Sequence, residues 1–372
     1  MTATDGWTVD VLDDLTAVRA LVPEWSDLAD ACDAGPLSLP GFLLPWWEHL
    51  GRGRLHVITV RRAGTLVGLA PLHTRSRGRL EIVRWLGHGL GTVAELLIRP
   101  GHESAATRIW AELSGDRGRV LDLVEYRHGG GGLLELRRAG SWQSHCSLHE
   151  TCLIVDLDGA ETADRLIGAR RNLRRQLARG QREIDEACLV HGVETATTVD
   201  QLSAVLPDMI AVQAAADADG SRVNLLAPPW REFTVSVLQR AAAEQRLMVH
   251  LGRLSGRPAS FNVAFRTGDT MSNWLARVEP WARAFSPGHH LLQRIIADAG
   301  GAGLRRMDML VGDDEYKRRW ATGSYDTASV LAATPGLLPA ARTAVSGIAA
   351  AHRLRSLVNG SVGQWPILRA AR

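Results

Sequence analysis

The chain has 372 residues, a length that suits two domains of ordinary size. Hydrophobic content of 45% implies real cores, and a net charge of +3 does not by itself call for nucleic acid. The opening Met1–Trp7 shows neither a basic nor an apolar leader pattern, and no apolar run reaches the length of a membrane span. Cys32, Cys146, Cys152 and Cys188 have no paired spacing, and His145 and His149 lack further ligands. The expectation is a cytoplasmic protein with free thiols, no membrane span and no metal.

In chain order, residues 15–33 and 42–50 read as helices with Trp25, Trp46 and Trp47 on their apolar sides. Strand-like runs follow at Leu55–Arg61 and Leu66–His73, joined by a hairpin at Arg62–Gly64, then at Glu81–Leu86 and Val93–Ile98. A helix over 102–114 and a strand over Val120–Tyr126 complete the first half. An arginine-rich helix over Glu161–Ala187 carries Arg165, Arg170, Arg171, Arg174, Arg175, Arg179 and Arg182 opposite a narrow apolar stripe. The second half repeats the first: helices over 199–218 and 228–244, strands Leu247–Gly252, Ala259–Phe265 and Thr270–Ala276, a helix over Pro287–Gly300 and the strand Arg306–Leu310. The pattern is α+β and seen twice. The expected division is 1–155, a basic linker helix over 156–190, a catalytic domain over 191–334 and a helical tail over 335–372.

Two segments carry chemistry. Ser286, Pro287 and Gly288 open a helix after the third strand of the second meander, which suits an anion at a helix start. His289 and His290 follow as acid–base groups, phosphate contacts or plain packing. The second segment is Asp308–Trp320. It holds Lys317, the one lysine beside 42 arginines in this sequence. An ammonium is a compact point charge where a guanidinium is a planar fork. Asp313, Asp314 and Glu315 begin a helix, and one of them could accept a proton or bind an amine. Tyr316 could donate a proton, and Lys317 could stabilise negative charge. Asp308 lies in an apolar strand, so it needs a partner.

The run Asp308-Met-Leu-Val-Gly-Asp-Asp-Glu-Tyr-Lys-Arg-Arg-Trp320, about twenty residues after Ser286-Pro-Gly-His-His-Leu-Leu292, resembles the CelD/BioF-like acyltransferases. These belong to the GNAT acetyltransferase superfamily and are related to the FemABX aminoacyl transferases. The resemblance covers roughly residues 20–330 and implies two tandem GNAT-like domains, each a mixed, mostly antiparallel central sheet flanked by helices. The second would hold an acyl-CoA between splayed strands, near Trp274 and Leu275, with the pyrophosphate by Gly288. His290 stands where the superfamily usually has a small residue, which leaves an aminoacyl-tRNA donor open.

The expected activity is N-acyl transfer to a small-molecule, peptide or sugar amine by direct attack, in a monomer or homodimer. Lys317, Asp314, Glu315, Tyr316 and Asp308 are the candidate catalytic residues. Asp313, Asn273, Arg174 and Arg175 are candidate substrate contacts, the arginines also serving tRNA under the FemABX-like alternative. A non-catalytic accessory role in polysaccharide biosynthesis is the remaining alternative.

Overall fold

The computed structural model describes residues 6–346 except 91–92, 116–117, 131 and 221. In chain order the elements are β1 (Trp7–Leu12), α1 (Leu15–Ala20), α2 (Val22–Ala31), α3 (Pro40–Leu50), β2 (Arg54–Arg62), β3 (Thr65–Arg77), β4 (Leu80–Trp85), β5 (Leu97–Ile98), α4 (Ser104–Ser114), β6 (Arg119–Arg127), α5 (Leu133–Arg138) and β7 (Gln143–Asp156). They continue with α6 (Thr162–Ala169), α7 (Arg171–Glu186), β8 (His191–Ala196), α8 (Val199–Ala216), α9 (Arg231–Ala243), β9 (Leu247–Leu254), β10 (Arg257–Thr267), β11 (Thr270–Val278), α10 (Pro287–Gly301), β12 (Arg306–Val311), α11 (Glu315–Arg318) and β13 (Gly323–Ala333).

The chain forms two compact units, residues 6–150 with 326–346, and Thr151–Tyr325. In the first, the strand order is β1-β2-β3-β4-β6-β13. In the second it is β8-β9-β10-β11-β12-β7. The two orders are the same plan. Every neighbouring pair with a recorded register is antiparallel except β4–β6 and β11–β12, which are parallel. Each sheet is thus mixed, mostly antiparallel and flanked by helices, as the sequence implied. The last strand of each sheet is the one out of sequence: β13 pairs β6 in the first unit, and β7 pairs β12 in the second. Both strands run across the division of the chain at 150/151 and 325/326.

Local chemistry explains the elements. The β2–β3 and β9–β10 turns place Ala63-Gly64 and Ser255-Gly256 at positive φ, which matches the twist of a two-residue hairpin. Thr198 and Gln201 form a capping box that starts α8. The first unit packs Trp85, Ile109, Trp110 and Tyr126 at its core, and the second packs Leu173, Ile295, Ile296, Met307 and Trp320. Helix α7 presents Leu173, Leu177, Gly180 and Ile184 inward at helical spacing, within the second unit.

Several expectations change. Residues 15–33 form two helices, because Pro23 supplies no N–H and begins a second one. The helix expected from 228 starts at Arg231, after Pro228-Pro229. The run Val93–Ile98 is a strand only at Leu97–Ile98, with an isolated bridge at Ala94. Strands β1, β7, β8 and β13 were not foreseen. Of the expected tail, residues 338–346 are helical and 347–372 lie outside the described residues.

Candidate active site

Strands β11 and β12 are parallel for three residue pairs, Thr270 with Arg306, Met271 with Met307 and Ser272 with Asp308. Beyond Ser272 the pairing stops, while β11 continues to Val278. Every second N–H of a strand faces each neighbour, so the donors that would have bonded β12 turn into the gap. The register with β10 also skips Trp274: Asn273 opposes Ala264 and Leu275 opposes Val263. This is a β-bulge at the mouth of the gap. Trp274 packs on Phe265 and Phe233, with ring centroids 5.5 and 6.2 Å apart. The Asn273 Oδ1 is buried with no hydrogen-bond partner.

The end of β12 is held by two groups flagged in the sequence. Asp308 has the partner it needed: its Oδ2 accepts from the Tyr325 hydroxyl at 2.7 Å and its Oδ1 from the Leu310 N–H at 2.8 Å. Leu310 has φ of 53°, and the pairing with β7 shifts register between Asp308 and Val311. Lys317 is buried, and its Nζ donates to the carbonyls of Val311 at 2.7 Å and Leu310 at 3.4 Å. Both groups therefore fix the bend in β12.

The three consecutive carboxylates are not equivalent. Asp313 accepts from Arg318, and that hydrogen bond holds its carboxyl below the usual range. Glu315 accepts from Arg319 at 2.5 Å, with the same effect. Asp314 has no ion pair among the described residues. Its Oδ2 lies 3.5 Å from where a Gly312 Cβ would stand, and the Lys317 Nζ lies 3.6 Å from that point. Tyr316 keeps 41% of its surface in solvent. Burial of the ring's polar end and the Asp314 charge push its phenol up to about 12, against the pull of Arg277 and Arg222. The hydroxyl is therefore protonated at neutral pH.

Helix α10 starts beside the same gap. Ser286 holds the N-cap position, but at φ of 50° its side chain makes no capping bond. Its carbonyl accepts from the N–H groups of His289 and His290 instead. Pro287 has no N–H, so Gly288 is the remaining donor of the first turn. A Cβ on Gly288 would stand 3.0 Å from Val278 Cγ2, so α10 approaches β11 at a distance that favours glycine. On the other side, a Cβ on Gly180 of α7 would stand 2.7 Å from the Phe285 carbonyl oxygen. His289 accepts from the Trp320 indole N–H at its Nδ1 (3.0 Å), and burial holds it down to about 4. His290 stands 5.5 Å, centroid to centroid, from His191, and burial followed by the His191 charge holds it near 4. Burial thus favours the neutral form of both rings at pH 7. Arg174 and Arg175 are exposed on α7, Arg174 donating to the Gly168 carbonyl at 3.0 Å.

The structure adds three residues that sequence reasoning missed. Asp217, at the end of α8, has a wholly buried side chain. It accepts from Arg277 Nε at 2.7 and 2.8 Å and pairs with Arg222 Nε at 3.1 Å. Nothing in the local sequence of Asp217 marks it, since Arg277, which makes its shortest contact, is 60 residues away on β11.

In the first unit the matching gap is filled. β4 and β6 pair over three residues and then diverge. Arg84 and Asp122 close the next position with a buried ion pair at 2.6 Å. Trp85 packs edge-on against Tyr126, and Ala94 bridges Tyr126, its N–H reaching the Glu125 carbonyl at 2.9 Å. Among the described residues, no group of three or more His, Cys, Asp or Glu side chains is placed to hold a metal ion. No helix among them is long and apolar enough to cross a membrane.

Residues 169–318 match a family described as "Acetyltransferase (GNAT) domain". That span lies inside the second unit. No curated protein matches the chain by sequence. Among solved structures, FemX superposes with a TM-score of 0.60 at 10% identity, covering 84% of this chain and 95% of that one. The C-terminal domain of a protein named as a lysylphosphatidylglycerol synthetase in Agrobacterium fabrum gives 0.54 at 14% identity, covering 88% and 95%. A conserved protein of unknown function from Bacteroides thetaiotaomicron gives 0.54 at 9% identity, covering 88% and 100%. Likeness at these identities shows a shared fold.

Proposed function

We propose that the second unit transfers an acyl group from an acyl-CoA thioester to an amine at the open end of β11 and β12. The observation that carries this is the divergence of those strands after Ser272, with an unpaired carboxylate, Asp314, at the same end of the sheet. The donor carbonyl would lie against the β11 backbone near Asn273–Ala276, where N–H groups stabilise the oxyanion of a tetrahedral intermediate. The amine nitrogen attacks the carbonyl carbon, the C–N bond forms and the C–S bond breaks. Asp314 orients the amine and takes its proton, directly or through water, and the departing thiolate takes a proton in turn. Tyr316, protonated at neutral pH, would supply that proton. Lys317 and Asp308 are positioning residues, because their polar atoms hold the β12 bend that carries Asp314. Ser286, Pro287 and Gly288 are the contacts offered to the donor's pyrophosphate. The filled gap of the first unit argues that only one unit of the pair is catalytic.

The test is the thermal unfolding midpoint with coenzyme A and a panel of acyl-CoAs, in wild type and Gly288→Glu. Binding to the folded state raises the midpoint by about 2.7 kcal/mol of stabilisation at a hundredfold excess over Kd. A rise in wild type that disappears in the variant, each against its own ligand-free midpoint, supports the assignment. No rise with any CoA overturns it.

A second reading has one observation in its favour. Arg171, Arg174, Arg175, Arg179 and Arg182 all lie exposed on α7, which suits a polyanionic donor such as aminoacyl-tRNA. Under that reading, tRNA binding falls steeply with added salt and is lost when Arg174 and Arg175 become Gln.

A further inference from the structure

The Asp217 cluster is more than a structural ion pair. Arg277 alone neutralises the buried Asp217 carboxylate, with its Nε on both oxygens and its other nitrogens on the carbonyls of Ala276 (2.9 Å) and Val223 (3.4 Å). Gln213 adds a fourth contact, Nε2 to Oδ2 at 3.2 Å. Arg222 is therefore a surplus cation. One edge is tied down, Nε to Asp217 at 3.1 Å and Nη2 to the Ala216 carbonyl at 3.4 Å, while 48% of its side chain stays exposed. A guanidinium held along one edge with another facing solvent is preorganised for a carboxylate or phosphate.

Its position matters. Arg277 lies on β11 beyond the end of the parallel pairing, and Gly312–Tyr316 follow the C-terminal end of β12. Parallel strands end on the same side of a sheet, so the clamp and Asp314 share the mouth of the gap. The Tyr316 hydroxyl feels the charges of Asp314, Arg277 and Arg222. One anion, Asp314, and one cation, Arg222, neither paired to the other, thus lie at the same end of the two strands.

We propose that the acceptor is an amine that also carries a carboxylate, an amino-acid-type zwitterion with its carboxylate on Arg222 and its amine on Asp314. This rests on the acyl-transfer reading above and names the class of acceptor for that site. Tyr316 donates to the same carboxylate or to the leaving group.

The experiment is isothermal titration of the full chain with the twenty common α-amino acids. For each that binds, the matched amine lacking the carboxylate and phosphoethanolamine are titrated too. At least one amino acid binds, its decarboxylated counterpart binds tenfold more weakly or worse, and Arg222→Gln abolishes that difference. Arg222→Lys, which keeps the charge and loses the fork, recovers part of it. The inference is overturned if no amino acid binds, if the matched amine binds equally, if phosphoethanolamine is preferred, or if Arg222→Gln keeps the preference. Acyl-CoA binding in the same samples tells this failure from a failure of the acyl-transfer reading. A donor shift with no amino-acid binding sinks only the acceptor class.

Discussion

At the scale of the residue, charge alone does not identify a working carboxylate. Asp313, Asp314 and Glu315 are adjacent and chemically alike, yet Arg318 and Arg319 neutralise the first and the third. Replacing Asp314 by Asn is expected to lower turnover by about a hundredfold or more, the scale of a lost proton acceptor. Asp313→Asn and Glu315→Gln remove solvent-screened ion pairs that contribute little, so turnover stays within roughly threefold. Steady-state rates of the three variants decide it, and equal losses would refute the ranking. The sequence pointed at this segment through its single lysine. In the structure the ammonium sits on the carbonyls of Val311 and Leu310. Asp308 was legible for a sound reason, because a lone carboxylate in an apolar strand demands a partner. Tyr325, which supplies it, lies in a strand that was not foreseen. The pairing that spares Asp314 depends on side chains four and five residues on, and the clamp on Asp217 depends on tertiary contacts. Neither can be read from adjacency.

At the scale of the element, α10 gathers buried and half-buried histidines. His289 and His290 lie on it, His191 faces His290, and His250 on β9 lies in the field of Arg294 and Asp298. Burial is the largest cause of lowering in all four, to about 4 for His250, His289 and His290. The unfolded chain binds protons near pH 6.5, while the folded one resists until about 4. Where the unfolded state binds more protons, stability rises with pH. The stabilisation from these neutral rings is complete above about pH 6.5 and declines as pH falls toward 4. Urea melts at pH 7 and pH 5 measure this, and His250→Gln reduces the difference. A flat profile would show that the rings are charged in the folded state. The helix start was legible as Ser-Pro-Gly, and its bounds came within a residue. What could not be read is that Ser286 turns to positive φ under α7, which removes its side chain from capping.

At the scale of the whole molecule, the repeat of helices, meander, helix and strand was visible because hydrophobic periodicity is a local property. The strand exchange was not. β7 is only partly buried along much of its length and β13 follows a bend, so neither shows the sharp alternation of a strand in a sheet's middle. A protein cut after residue 150 keeps every residue of its first five paired strands yet lacks β13, leaving the buried strand β6 as an open edge. Residues 1–150 alone are expected to aggregate or remain unfolded, and a peptide spanning 320–346 to restore sheet signal by circular dichroism. A fragment that folds without the peptide would show β13 to be dispensable. The same exchange sets an order of events during synthesis. The first-made half of the chain cannot close its sheet until Ala333 has left the ribosome, roughly 180 residues after Glu150. At ~5–20 residues per second, that is on the order of ten to forty seconds with an apolar edge uncovered. A nascent chain of this design spends that interval as a client for holding chaperones, and the last strand made decides when it stops being one.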